Sequence, residues 1–260
     1  MRITGLYAIC VVIVAGMAVL ALVHSKEAIE VMSIELFPNA QRAFSYGEAH
    51  FDAQNPSEYD INLADYFFKK ARAIGPAPAY LYHEMARISF LRGNFNQAIG
   101  EINTQILLHG DETPNSYYIR GLIEGYMGEY NASIEDYKHF LQFDSNDWAA
   151  MNDYAWVLLK ANRPQDAAIV TTEGLKVFPE NPWLLNTNAT ALYEMNAFEA
   201  AYAKAKAAVT AAQLLTPAQW LHAYPGNDPA IAAGGIATFQ KATQDNMHSI
   251  EAKLASTTVQ

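Results

Sequence analysis

From about Asn39 onward, apolar residues recur at helical spacing in short blocks broken by Gly or Asn. Tyr82 to Leu91 and Phe95 to Leu108 are two such blocks, separated by Gly93, and they predict a helix, a tight turn and a second helix. Residues 25–38 (SKEAIEVMSIELFP) differ. Ile29, Val31 and the Ile34/Leu36 pair alternate with polar neighbours, which predicts an extended tether. Further upstream, 21 residues from Ile3 to Val23 carry no charge, close to the roughly 20 that a membrane-spanning helix needs. Arg2 and the terminal amine precede that run, so the expected topology has a cytoplasmic N-terminus and the remaining mass outside the cytoplasm. A cleaved secretory signal ending at Val19-Leu20-Ala21 is the alternative, although the apolar run is long for one. Both readings export the same domain. The expected division is a signal-anchor over 1–24, a tether over 25–38, a helical array over 39–213 and C-terminal helices over 214–260.

The blocks repeat. Gly93, Gly128, Asn162 and Asn196 are separated by 35, 34 and 34 residues. Ala98, Ser133, Ala167 and Ala201 show the same steps, as do Ala86, Gly121, Ala155 and Ala189. Gly or Asn suits the left-handed residue that ends a helix. The two columns of small residues let consecutive helices approach closely.

These columns resemble the tetratricopeptide repeat family, whose unit is 34 residues long. Residues 79–113 place Tyr82, Met85-Ala86, Gly93, Phe95 and Ala98 at the family's aromatic, large-small, turn, aromatic and small positions. Units over 114–147 (Tyr117, Gly121, Gly128, Tyr130, Tyr137), 148–181 (Ala155, Ala167, Pro179) and 182–213 (Ala189, Leu192, Phe198, Ala201, Ala208) follow. A degenerate unit over 39–78 precedes them, its turn lengthened by DAQNPSEYD. Pro164 stands where an aromatic is usual, and Ser133, Gln105 and Phe140 where small residues are. The resemblance implies an all-α fold, a right-handed solenoid of about five helix-turn-helix units. Beyond it, Thr216-Pro217-Ala218-Gln219 reads as a capped helix start, YPGNDP (224–229) as a turn, and Ile236, Phe239, Met247, Ile250 and Leu254 as the stripe of a last helix. These C-terminal helices either cap the array or dock a partner.

Charge and chemistry change this picture little. The net charge is −10 with scattered basic residues, which argues against nucleic acid. The single cysteine, Cys10, excludes an internal disulfide. His83-Glu84-Met85-Ala86-Arg87 has Arg87 where a zinc-protease helix needs its second histidine, so His83 is expected to be an exposed helix residue. Asp144-Ser145-Asn146-Asp147 lacks the glycine and glutamate of a calcium loop. The glycosylation patterns at Asn131 and Asn188 fall in packed repeat helices and read as coincidence. No enzyme, cofactor or metal is expected.

The family resemblance implies that the first helix of each unit lines a concave groove that takes an extended peptide or a partner helix. Carried over residue by residue, the groove is expected to show Tyr80, His83, Arg87 and Phe90, then Asn115, Tyr118, Leu122 and Tyr126. Asn152, Trp156 and Lys160 follow, and then Trp183, Asn186 and Tyr193. The Lys- and Asn-based clamp that some members use for a terminal carboxylate is not reproduced. Gly125 is not demanded by the repeat, and it is expected to open space for a ligand backbone, so that Gly125→Leu spares the fold. The functional expectation is a non-catalytic scaffold that binds a partner polypeptide and is anchored in the cell membrane through residues 3–23, the array lying on the extracytoplasmic side of a bacterial-type envelope. A chaperone for unfolded chains and an accessory subunit of a membrane enzyme complex are the alternatives.

Overall fold

Each break in the pattern is a helix end. Gly93 (φ 73°), Gly128 (φ 84°), Asn162 (φ 58°) and Asn196 (φ 61°) all occupy the left-handed region, as the first column requires. The computed structural model describes residues 28–224 and 226–258, and the described residues form helices without strands. After a helix over 28–36 (α1) come five antiparallel pairs. They are α2 (Ala40–Ala49) with α3 (Ile61–Ile74), α4 (Leu81–Leu91) with α5 (Phe95–His109), and α6 (Asn115–Met127) with α7 (Tyr130–Phe143). Then α8 (Trp148–Lys160) pairs with α9 (Pro164–Val177), and α10 (Pro182–Glu194) with α11 (Phe198–Ala212). A short α12 (Pro217–Ala223) and a long α13 (Ala232–Thr258) end the chain.

The two small-residue columns are where these helices meet. Ala86, Ala155 and Ala189 on the first helices, and Ala98, Ala167 and Ala201 on the second, are fully buried. Ser133 keeps this column despite its hydroxyl, because Oγ donates to the Gly121 carbonyl at 2.6 Å. At Gly121 itself a Cβ would approach the Tyr137 ring to 3.2 Å. Gln105 and Phe140, the other departures from the pattern, are also buried. Pro164 occupies the first turn of α9, where its missing N–H costs nothing.

Two sequence expectations are corrected. The tether is helical over 28–36, not extended. Ile34 packs with Ala43, Phe44 and Phe68, while Ile29, Met32 and Leu36 face solvent. Apolar residues on both faces of a helix imitate the alternation of a strand. Ion pairs from Arg42 to Glu30 (2.6 Å) and from Lys70 to Glu35 seat α1 on the first unit.

Gly125 is the second correction. It is buried, and a Cβ there would stand 3.0 Å from Val157 Cγ2 and 3.1 Å from Trp156 Cζ3, so it is a contact point between α6 and α8 and offers no space to a ligand.

The C-terminal helices were expected either to cap the array or to dock a partner. α13 packs along α11 and touches α10, as a cap does. Ile236 and Ile250 are buried, and Asn246 Nδ2 donates to Asn186 Oδ1 at 2.9 Å. α12 packs on the start of α13. The strap between α11 and α13 folds back across the inner face of the array, with Trp220 buried against Trp183, Ala232 and Ile236. Tyr224 accepts the Trp183 indole N–H at 3.1 Å. At the far end of the strap, Tyr59 in the lengthened turn of the first unit donates its hydroxyl to the Gly226 carbonyl at 2.6 Å.

The expected membrane segment at 3–23 lies outside the described residues. Among the described residues no helix is long and apolar enough to cross a membrane.

Candidate functional site

The inner face is built by the first helices of successive units, and polar contacts join them in sequence. Tyr118 on α6 donates to Asp153 Oδ2 on α8 at 2.8 Å. Thr187 on α10 donates to Asn152 Oδ1 on α8 at 2.8 Å. Between α4, α6, α8 and the strap lies a cavity of about 270 Å³. Its lining includes Arg87 and Phe90 from α4, Tyr118, Leu122 and Tyr126 from α6, and Asn152, Asp153 and Trp156 from α8. Thr187 closes it from α10, and Ala223, Tyr224 and Asn227 from the strap.

The aromatic wall is continuous. Phe90 meets Tyr126 edge to face at 5.1 Å between centroids, and Tyr126 meets Trp156 at 5.3 Å. Tyr126 is also among the exposed large apolar residues, so the wall opens to solvent on one side. Arg87 is held at 2.6 Å from Glu84 Oε2, with its guanidinium 4.8 Å from the Phe51 ring centre. Burial raises the Glu84 carboxyl above the usual range, against the pull of Arg87. Asp153 is half-buried and accepts from Asn152 Nδ2 at 3.3 Å as well as from Tyr118. Burial pushes its pKa up to about 6, opposed by the two bonds.

Of the residues expected in the groove, Arg87, Phe90, Tyr118, Leu122, Tyr126, Asn152 and Trp156 converge on this cavity. The others do not. Tyr80 caps α4 in a left-handed conformation and packs against the first-unit core. Asn115 is exposed at the start of α6. Lys160 is exposed at the end of α8, its Nζ 5.9 Å from the Trp156 ring centre. Trp183 is buried between Trp148 and Phe239, at centroid distances of 5.0 and 5.1 Å. Asn186 is bound by Asn246 of α13, and Tyr193 packs on Phe198 at 5.6 Å. At the fifth unit, then, the strap and α13 cover the face that was expected to be open. Asp153, Thr187, Tyr224 and Asn227 are site residues absent from the sequence expectation.

His83 is corrected outright. It is 6 % exposed and lies among the residues joining α4, α5 and α6, with Nδ1 3.2 Å from Ser116 Oγ. Its backbone N–H donates to Gln105 Oε1 at 3.3 Å. Burial, with the nearby Arg87 charge, lowers its pKa to about 3. It is therefore a neutral core histidine. The unfolded chain binds a proton that the native state refuses between pH 6.5 and about 3, so this residue contributes stability above pH 6.5 that is lost as pH falls. Relative to His83→Asn, the native protein is expected to lose about 1.4 kcal/mol per pH unit across that interval, measured by urea denaturation at a series of pH values.

Asn188, one of the two glycosylation patterns, is buried and donates to Thr171 Oγ1 at 2.8 Å, in keeping with a packing role. Among the described residues no group of three or more His, Cys, Asp or Glu side chains is placed to hold a metal.

No protein-family model matches the sequence, and no curated protein matches it. Solved structures do match in fold. One, described as the crystal structure of MamA protein, superposes with a TM-score of 0.56 at 15 % identity, over 67 % of this chain and 92 % of that one. Another, YrrB, described as a TPR protein with an unusual peptide-binding site, gives 0.57 at 14 % identity, over 70 % and 91 %. At these identities the likeness is one of fold, and it agrees with the helix pairs, turn residues and small-residue columns described above: the chain folds as a tetratricopeptide-repeat solenoid.

Proposed function

We propose that this protein is a non-catalytic interaction scaffold that binds a partner polypeptide on the concave face of its solenoid. The observation that carries this is the cavity itself. Side chains from the first helices of four successive units converge there, with rings providing contact area at low entropy cost and Asn152, Thr187 and Asn227 providing polar partners for a backbone or side chain. The solenoid fold, shared with proteins one of which is described as binding peptide, supports the same function. In this proposal the apolar run at 3–23 anchors the chain in the cell membrane and the solenoid stands on the extracytoplasmic side.

A photo-crosslinking side chain placed at Tyr126, on the open rim of the cavity, tests the proposal in membranes of cells that make the protein. One dominant adduct, absent when the same group replaces the exposed Lys138 on α7, is the expected result. A smear of many adducts favours a chaperone for unfolded chains. No adduct from Tyr126 beyond that from Lys138 overturns the scaffold. For topology, a reporter fused after Gln260 is expected to function only outside the cytoplasm.

A further inference from the structure

The cavity contains a carboxylate whose charge is not balanced by any of the described residues. Asp153 accepts hydrogen bonds from the Tyr118 hydroxyl and the Asn152 amide, both neutral donors. Among the described residues, no lysine, arginine or histidine nitrogen lies within 4.0 Å of it. Arg87 lines the same cavity, but its guanidinium is committed to Glu84 at 2.6 Å. Partial burial of a carboxylate without a cation is unfavourable, and the raised pKa of Asp153 reflects that cost. At neutral pH the group is nonetheless mostly ionised.

The surroundings are of the opposite kind to those that stabilise an anion. The linked rings of Phe90, Tyr126 and Trp156 carry negative potential on their faces, which attracts cations. Trp156 already attracts one: Lys160, outside the cavity, lies 5.9 Å from its ring centre. A carboxylate and aromatic rings that line one space of about 270 Å³ have the chemistry and size for a small organic cation.

We propose that this cavity is a binding site for an organic ammonium group, with Asp153 as its counter-ion and Phe90, Tyr126 and Trp156 as its aromatic wall. The ammonium arrives either on a lysine side chain of a bound polypeptide or as a free amine. The site does not depend on the scaffold function, since a free amine can occupy it with no polypeptide in the groove.

Calorimetric titration of the full-length protein at pH 8 tests this with four probes. They are n-butylammonium and doubly blocked lysine (Nα-acetyl-lysine N-methylamide), each against its neutral hydroxyl isostere, n-butanol and equally blocked 6-hydroxynorleucine. Each ammonium is expected to bind about tenfold more tightly than its isostere, the size of a desolvated cation–π contact with a counter-ion. Asp153→Asn, which keeps the shape of the side chain, still accepts from Asn152 and can donate to the Tyr118 oxygen, is expected to abolish that preference while the thermal midpoint shows the variant folded. Tyr126→Leu, on the exposed rim, is expected to reduce it several-fold. Blocked lysine binding more tightly than butylammonium identifies a polypeptide as the source, and the reverse order identifies a free amine; both support the site. Equal binding of ammonium and isostere, or an unchanged preference in folded Asp153→Asn, overturns it. Failure to crosslink any partner from Tyr126 leaves this result untouched.

Discussion

Gly125→Leu is expected to lower the unfolding free energy by about 3 kcal/mol or more, at the upper end of the range for overpacking a close-packed interior. The first added carbon already meets Val157 Cγ2 at 3.0 Å and the Trp156 ring at 3.1 Å, both side chains of the neighbouring unit. A leucine adds three further carbons on the same line, so α6 and α8 must separate. Val157 is fully buried, which leaves it little freedom to move aside. Gly125→Ala is expected to cost less, since only a few tenths of an ångström of movement is needed. Chemical denaturation of both variants, followed by far-UV circular dichroism, measures the difference. A leucine variant as stable as the parent would mean that the α6–α8 contact yields freely.

Arg120→Met is expected to cost about 3–5 kcal/mol, the usual penalty for removing one partner of a buried ion pair. Arg120 on α6 binds Asp136 on α7 through two parallel bonds, Nε to Oδ2 at 2.6 Å and Nη2 to Oδ1 at 2.7 Å. The Asp136 side chain is only 8 % exposed. Glu124, one turn along α6, lies 3.9 Å from the same guanidinium. Burial and then the Asp136 charge push the Glu124 pKa up to about 7. Without Arg120, two carboxylates share a partly dry interface with no cation between them. The sign of the pH dependence follows. Glu124 then takes up a proton more readily in the folded state than in the unfolded one, so acid stabilises the folded variant. The deficit of Arg120→Met, measured by denaturant midpoint, is expected to be largest near pH 8 and to shrink as pH falls toward 5. A pH-independent deficit would assign the loss to packing of the arginine stem.

Much of the fold was legible because each repeat makes the same demands at the same places. A left-handed turn residue and two small contact residues recur every 34 or 35 positions, and these are backbone requirements that a sequence displays directly. What was not legible depended on partners distant in sequence. Gly125 and Gly121 look alike along the chain, and both turn out to be packing glycines, one against α8 and the other against α7. His83 sits on the helix that lines the groove, yet it is turned toward α5 and α6, where Gln105 and Ser116 receive it. The apparent departure at position 105 was the available clue, since a polar residue in a small-residue column needs a buried partner. Asp153 carried a clue as well. It lies 35 residues after Tyr118, just as Thr187 lies 35 after Asn152, so both contacts follow the repeat step. The strap left no such trace, because its contacts with Trp183 and with the first-unit turn obey no period.

The Tyr59–Gly226 hydrogen bond joins residues 167 positions apart in a fold whose other contacts run mostly between adjacent units. An open array of this kind behaves as a chain of nearest neighbours and frays independently from either end. Fastening the last segment to the first unit turns the row into a loop, so that opening one end releases contacts at the other. Amide exchange in α2 and α3 is then set partly by residues near the C-terminus. A destabilising change in either terminal unit is felt by both, and the melting of the described solenoid gains cooperativity that its repeats alone do not supply.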